Sequence, residues 1–67
     1  MSYELYEVWA EDDTGHQELI DTTRSLSHAM QLAEKTLNED NWVVTTVYQE
    51  TEDGDLELVK EFVNGEG

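Results

Sequence analysis

The stretch that decides the fold is residues 42–63, which read WVVTTVYQETEDGDLELVKEFV. Its first part, Trp42–Glu50, is rich in β-branched and aromatic residues, which favour strands. Its last part, Leu56–Val63, has the same character, and the intervening Asp53-Gly54 is typical of a hairpin turn. The stretch therefore predicts an antiparallel β-hairpin.

A second hairpin is predicted earlier in the chain. Tyr3–Ala10 (YELYEVWA) mixes aromatic and β-branched residues with glutamates, and Gln17–Thr23 (QELIDTT) has a similar composition. Both segments are typical of strands. The polar residues 11–16 between them include a glycine and predict the turn.

One helix is predicted between the two hairpins. Ser25 is a suitable N-cap residue. Apolar residues then recur at helical spacing and form one stripe, which consists of Leu26, Ala29, Met30, Ala33 and Leu37. The segment Asn38–Asn41 is a poor continuation, and we expect the helix to end there.

The order β-β-α-β-β defines the predicted fold class, which is α+β. We expect a four-stranded antiparallel sheet with one helix packed on one face. Residues 1–63 form a single domain in this prediction, and residues 64–67 form a flexible C-terminal tail.

The small size of the chain limits how its fold is stabilised. With 67 residues, the predicted core is marginal. The sequence contains no cysteine, which excludes disulfides and zinc–thiolate sites. Local sequence design, oligomerisation or binding to another molecule must supply the stability.

The charge is strongly acidic, with 17 Asp and Glu against 3 Lys and Arg and a formal net charge of −14. Such a charge opposes direct contact with nucleic acid or an anionic membrane, and it favours basic partners, cations or a salt-rich solvent. No apolar run approaches the length of a membrane span, and no secretory pattern is present. The expected location is the cytoplasm.

No catalytic, cofactor or metal site is predicted. His16, His28 and Ser25 belong to no recognisable nucleophile motif, and Ser25 is explained by capping. Acid pairs arise by chance in a chain so rich in carboxylates. Calcium-loop alignments on Gly15 and on Gly54 both lack the required acidic ligands. We therefore expect a protein that is not an enzyme.

The predicted strands carry large apolar residues on both faces, whereas one helix covers only one face. We expect the other face to be buried against a target protein or in a homodimer. The pattern leaves open which face contacts the helix. On one face of the first strand it places Tyr6 and Val8, and on one face of the fourth strand it places Leu56, Leu58 and Phe62. The residues proposed for the apolar contact are Tyr3, Leu5, Trp9, Trp42 and Tyr48.

The acidic residues concentrate in the two hairpins. Carboxylates two positions apart on a strand are separated by about 7 Å, which is comparable to phosphate spacing. Asp53, Asp55 and Glu57 are predicted to have that spacing. The residues proposed for an acidic contact are Glu52, Asp53, Asp55 and Glu57.

The predicted function is a small acidic protein-binding module, in its sharpest form a nucleic-acid mimic that inhibits a basic protein. Two alternatives remain open at this point. One is a salt-adapted, halophilic domain that forms a homodimer through its open sheet face. The other is a plain solvated surface on a domain that functions through its apolar face.

Overall fold

The order of elements is β-β-α-β-β in the computed structural model, which describes residues 4–39 and 42–64. This order, the antiparallel sheet and the single helix confirm the predicted α+β fold. The elements are β1 (Leu5–Glu11), β2 (Gln17–Thr23), α1 (Leu26–Glu39), β3 (Val44–Glu50) and β4 (Leu56–Val63).

The sheet has the strand order β2-β1-β3-β4, and every neighbouring pair is antiparallel. The first strands of the two hairpins, β1 and β3, are therefore central. The second strands, β2 and β4, form the two edges.

The observed element ends differ slightly from the predicted ones. The bounds of β2 and β4 agree with the prediction, whereas β1 ends at Glu11 and β3 begins at Val44. Asn64, which the sequence placed in the tail, donates its backbone N–H to the Val43 carbonyl at 2.9 Å. Tyr3, residues 40–41 and residues 65–67 lie outside the described residues.

The helix begins where the sequence predicts. The Ser25 hydroxyl accepts a hydrogen bond from the His28 backbone N–H at 3.2 Å, and the Ser25 carbonyl accepts one from Ala29 at 2.9 Å. The first bond satisfies an N–H group that has no backbone partner within the helix, and the second is the first i→i−4 bond of the helix, so Ser25 is the N-cap.

The core lies between α1 and one face of the sheet. Val8 and Val47 are fully buried in the two central strands, and Ala29 and Ala33 of α1 are also fully buried. Alanines at this contact allow the helix backbone to approach the sheet closely. Leu26, which the sequence placed on the apolar side of the helix, is instead exposed.

Thr45 is the one polar residue that is buried among the described residues, and its hydroxyl has a hydrogen-bond partner. It donates to the Ala33 carbonyl at 2.9 Å. A buried hydroxyl without a partner is costly, so this bond links β3 to α1 at a defined position.

Both hairpin loops have the same geometry. In the first, Asp12 N–H donates to the His16 carbonyl at 3.0 Å, and Gly15 N–H donates to the Asp12 carbonyl at 3.1 Å. Gly15 has a φ of 91°, the left-handed conformation that glycine adopts without steric cost. This is a three-residue loop in which the last position is left-handed.

The second loop repeats that arrangement. Thr51 N–H donates to the Asp55 carbonyl at 2.8 Å, Gly54 N–H donates to the Thr51 carbonyl at 3.0 Å, and the φ of Gly54 is 88°. The tight Asp53-Gly54 turn of the sequence prediction is thus part of a longer loop.

Each hairpin also contains one β-bulge at an equivalent place. In the first, Val8 pairs with Asp21 and Trp9 with Leu19, so Ile20 is the extra residue. In the second, Val47 pairs with Lys60 and Tyr48 with Leu58, so Val59 is the extra residue.

The two hairpins are consequently related by an approximate two-fold axis normal to the sheet. The axis passes through the pair Val8 and Val47, because these residues are cross-strand partners and also occupy equivalent positions in the two hairpins. The helix, which has no counterpart, covers this axis on one face.

The bulge corrects one prediction about β4. The sequence placed Phe62 on the same face as Leu56 and Leu58, on the assumption of strict alternation. Because Val59 is the extra residue, Phe62 instead packs against the core beneath the helix. Val63 and Glu61 pair with residues of the opposite face, Val44 and Thr46.

Candidate protein-binding face

The face of the sheet opposite α1 is covered by no element of the described chain, and we call it the open face. Its members follow from the strand pairings and from the alternation of side chains along each strand. They are Leu5, Glu7, Trp9, Glu11, Gln17, Leu19, Thr22, Val44, Thr46, Tyr48, Glu50, Leu56, Leu58, Glu61 and Val63.

An apolar stripe crosses the open face diagonally, with one residue from each strand. Leu19 pairs directly with Trp9, and Tyr48 pairs directly with Leu58. Trp9 and Tyr48 are diagonal neighbours, because Trp9 pairs with Thr46. Diagonal neighbours of this kind are within reach of aromatic side chains. The apolar stripe thus runs in the order Leu19, Trp9, Tyr48, Leu58.

The ends of the apolar stripe are the most exposed part of it. Leu19 is 46% exposed and Leu58 is 60% exposed, whereas Trp9 and Tyr48 are half-buried. Beside the stripe, Leu56 and Val63 are also exposed on the same face. Contiguous apolar groups of this kind are typical of interaction sites.

Four carboxylates lie on the open face beside the apolar stripe: Glu7, Glu11, Glu50 and Glu61. Two of them are held by hydrogen bonds. Glu7 Oε1 accepts from Trp9 Nε1 at 2.9 Å, and Glu11 Oε1 accepts from Gln17 Nε2 at 3.2 Å.

Two of the three basic residues lie off the open face. Lys35 lies in α1, and Lys60 pairs with the buried Val47 on the helix side, with its Nζ 5.8 Å from the centre of the Phe62 ring. Arg24 directly follows β2. Among the paired strand residues of the open face, four are carboxylates and none is a lysine or an arginine.

A shallow groove of about 180 Å³ opens on this face. Trp9 and Tyr48 line it, together with Ala10, Glu11, Gln17, Thr46 and Leu56. It is thus bordered by aromatic rings and by one carboxylate.

The structure brings together three of the five residues that the sequence proposed for an apolar contact. Leu5, Trp9 and Tyr48 all lie on the open face. Trp42 is half-buried and precedes β3 without belonging to it, and Tyr3 lies outside the described residues.

The four acidic residues that the sequence proposed lie away from the open face. Glu52 and Asp53 are in the second hairpin loop, and Asp55 closes that loop. Glu57 is in β4 and pairs with Gln49, on the helix side of the sheet. The prediction that Asp53, Asp55 and Glu57 share one strand face is wrong, because the three-residue loop extends to Gly54.

Sequence reasoning missed Leu19 and Leu58 as members of the candidate site. Each lies on the open face because the register set by its hairpin loop pairs Leu19 with Trp9 and Leu58 with Tyr48. The adjacent apolar pairs, Leu19-Ile20 and Leu58-Val59, were the available signal, since two successive apolar residues in an edge strand break the alternation that a regular strand shows.

The histidines have local structural contacts. His28 Nδ1 lies 3.3 Å from the Thr23 hydroxyl, and the His16 backbone closes the first loop. Within residues 4–39 and 42–64, no group of three or more histidine or acidic side chains is arranged to hold a metal ion.

Two side chains of the first hairpin have shifted pKa values. Burial raises the pKa of the Tyr6 phenol, and the charge and hydrogen bond of Glu4 add to that effect. The hydrogen bond from the Thr14 hydroxyl lowers the pKa of Asp12, and backbone N–H groups of Thr14 and His16 contribute in the same direction. Neither group belongs to the open face.

Comparison of the chain with protein-family models, with curated proteins and with solved structures found no match. In the part of the chain that the structure describes, no helix has the length and apolar character needed to cross a membrane.

Proposed function

We propose that the protein is a non-enzymatic module that binds a basic protein partner through its open face. The observation that carries this proposal is the apolar stripe, which is bordered by four carboxylates, with no lysine or arginine among the paired strand residues of the same face. A partner that fits it has an apolar centre and a basic periphery.

The apolar stripe supplies the candidate energetic centre of the contact. Binding energy at protein interfaces concentrates in a few central residues, among which tryptophan and tyrosine are enriched. Trp9 and Tyr48 occupy the middle of the stripe, and the leucines at its ends are exposed. A partner's apolar side chains would remove these groups from water.

The carboxylates supply selectivity. Complementary charge accelerates association and excludes partners of the wrong sign more than it adds affinity. The acidic loop residues Glu52, Asp53 and Asp55 extend the negative field beyond the open face. This field favours basic proteins and opposes nucleic acid.

Charge also argues against a second copy of this chain as the occupant. Pairing two open faces would place Glu7, Glu11, Glu50 and Glu61 of one copy against the same four carboxylates of the other. Like charges placed together across an interface cost several kcal/mol, on the order of the selectivity that interfaces show.

The proposal is tested with two designed amphipathic helical peptides that share the same leucine face, one with lysine and arginine on its polar face and one with glutamate. We expect the basic peptide to shift the backbone NMR signals of Leu19 and Leu58, with affinity that falls as salt rises. Leu58→Ser should weaken binding, whereas Leu26→Ser, a matched change on an exposed helix leucine, should not. Equal binding of the two peptides, or shifts confined to the helix, would refute the proposal.

Salt separates this function from the halophilic alternative. A binding module should keep its circular dichroism spectrum at low ionic strength and remain monomeric by light scattering. A salt-adapted domain should unfold at low salt and refold in molar salt. A homodimer that forms as salt rises, with shifts at Leu19 and Leu58, would assign the open face to self-association instead.

A further inference from the structure

We infer that the groove beside Trp9 and Tyr48 is a binding site for an arginine side chain of the partner. The inference rests on the proposed function and deepens it, because it names the chemical group that the open face selects. It is carried by the aromatic lining of the groove, by the presence of Glu11 in that lining, and by the fact that none of the lining residues is a lysine or an arginine.

The aromatic part of the groove is positioned by hydrogen bonding. Trp9 Nε1 donates to Glu7 Oε1 at 2.9 Å, which satisfies the polar edge of the indole and restrains its orientation. The indole face remains the part of Trp9 that a ligand can contact, since the side chain is only half-buried. A cation over a tryptophan face is attracted by the ring quadrupole.

Glu11 supplies the one carboxylate among the residues that line the groove. Glu11 and Trp9 lie two positions apart on the same strand face, a separation of about 7 Å. Gln17 Nε2 donates to Glu11 Oε1 at 3.2 Å and holds this carboxylate at the groove. A cation that stacks on Trp9 can therefore reach Glu11 with the same head group.

A guanidinium fits this arrangement better than an ammonium. It is planar, so it stacks on an indole, and its rigid fork of N–H groups pairs with a carboxylate in the same plane. It is also more weakly hydrated than the lysine ammonium, so its transfer from water into a half-buried site costs less free energy. The groove of about 180 Å³ has several times the roughly 30 Å³ that one water molecule takes in the liquid.

The two tryptophans of the chain allow a direct test by NMR. The indole N–H signals of Trp9 and Trp42 are observed separately, and Trp42 serves as an internal control because it lies outside the groove lining. The probes are three blocked tripeptides, Gly-X-Gly, in which X is arginine, lysine or citrulline. Citrulline has nearly the shape of arginine and no charge.

We expect the arginine peptide to shift the Trp9 indole signal with little effect on the Trp42 signal. The lysine peptide should bind several-fold more weakly than the arginine peptide. The citrulline peptide should cause no shift of the Trp9 signal. Glu11→Gln should weaken arginine binding by about tenfold, because it removes a charge-assisted pair. Glu57→Gln, the matched control on the helix side of β4, should leave it unchanged.

The outcomes distinguish this inference from the proposed function. If the basic helical peptide binds the open face while the arginine peptide leaves Trp9 unshifted, the arginine site is refuted and the proposed function stands. Equal shifts with arginine and citrulline would also overturn the site. If neither the helical peptide nor the arginine peptide binds, both proposals fail.

Discussion

Val8 and Val47 are cross-strand partners at the centre of the sheet, and each occupies the same position in its own hairpin. Both side chains are fully buried beneath the helix. The approximate two-fold axis of the sheet passes through this pair, so the two residues have closely similar sheet surroundings.

We expect Val8→Ala and Val47→Ala to lower the free energy of unfolding by similar amounts, about 2 kcal/mol each, because each removes two buried carbon groups. Urea unfolding at constant salt measures this. Val59→Ala, a change at a much less buried position, is the control and should cost less than about 0.5 kcal/mol. The double variant should depart from additivity, since the two residues are neighbours. A large cost at one valine and none at the other would contradict the equivalence.

The bond from Thr45 to the Ala33 carbonyl gives a second prediction. Thr45→Val keeps the shape of the side chain and removes the hydroxyl, which should cost about 1 kcal/mol of unfolding free energy. Thr46→Val, the neighbouring change on the open face, should stay within about 0.5 kcal/mol of the native value. Equal effects of the two variants would show that the buried bond contributes nothing measurable.

The loop glycines give a third prediction. Apart from the two adjoining residues of the chain, no atom of the described structure lies within 4 Å of the position where a Cβ would be added at Gly15 or Gly54, so the cost of a side chain comes from the positive φ. Gly15→Ala and Gly54→Ala should each destabilise the protein by about 1 kcal/mol. Gly15→Asn and Gly54→Asn should cost less, because asparagine tolerates this conformation. Thermal unfolding of the four variants would test this ordering.

Asp12 makes the first hairpin sensitive to acid. Its pKa is lowered in the folded state, so its contribution to stability is complete at pH values above its unfolded pKa of about 4 and declines as the pH falls through the folded value. Asp12→Asn should reduce stability at neutral pH and flatten the decline in acid. Asp13→Asn, in the same loop, is the control. Urea midpoints at pH 7 and pH 3 provide the measurement, and an unchanged slope in Asp12→Asn would refute the assignment.

The parts of the fold that depend on local sequence were predictable. The Ser25 cap, the helix, the two hairpins and the placement of Leu5 and Trp9 opposite Val8 all follow from residue type and periodicity. These features are set within a few residues of chain.

The bulges at Ile20 and Val59 could not be predicted, because a bulge is a property of two paired strands and of their register. The bulge at Val59 decides that Phe62 belongs to the core, whereas the register of the hairpin loops places Leu19 and Leu58 on the open face. The proposed acidic set depended on regular strand geometry through Asp53, which the loop geometry contradicts.

The two bulges have a further consequence, because both lie in the outermost strands. A straight exposed edge is a template on which further copies of a chain add strands and form fibres. A bulge bends the strand and increases its local twist, which spoils the match to an incoming strand. The irregularities at Ile20 and Val59 thus oppose aggregation of a small protein that exposes several leucines and valines next to unpaired strand edges.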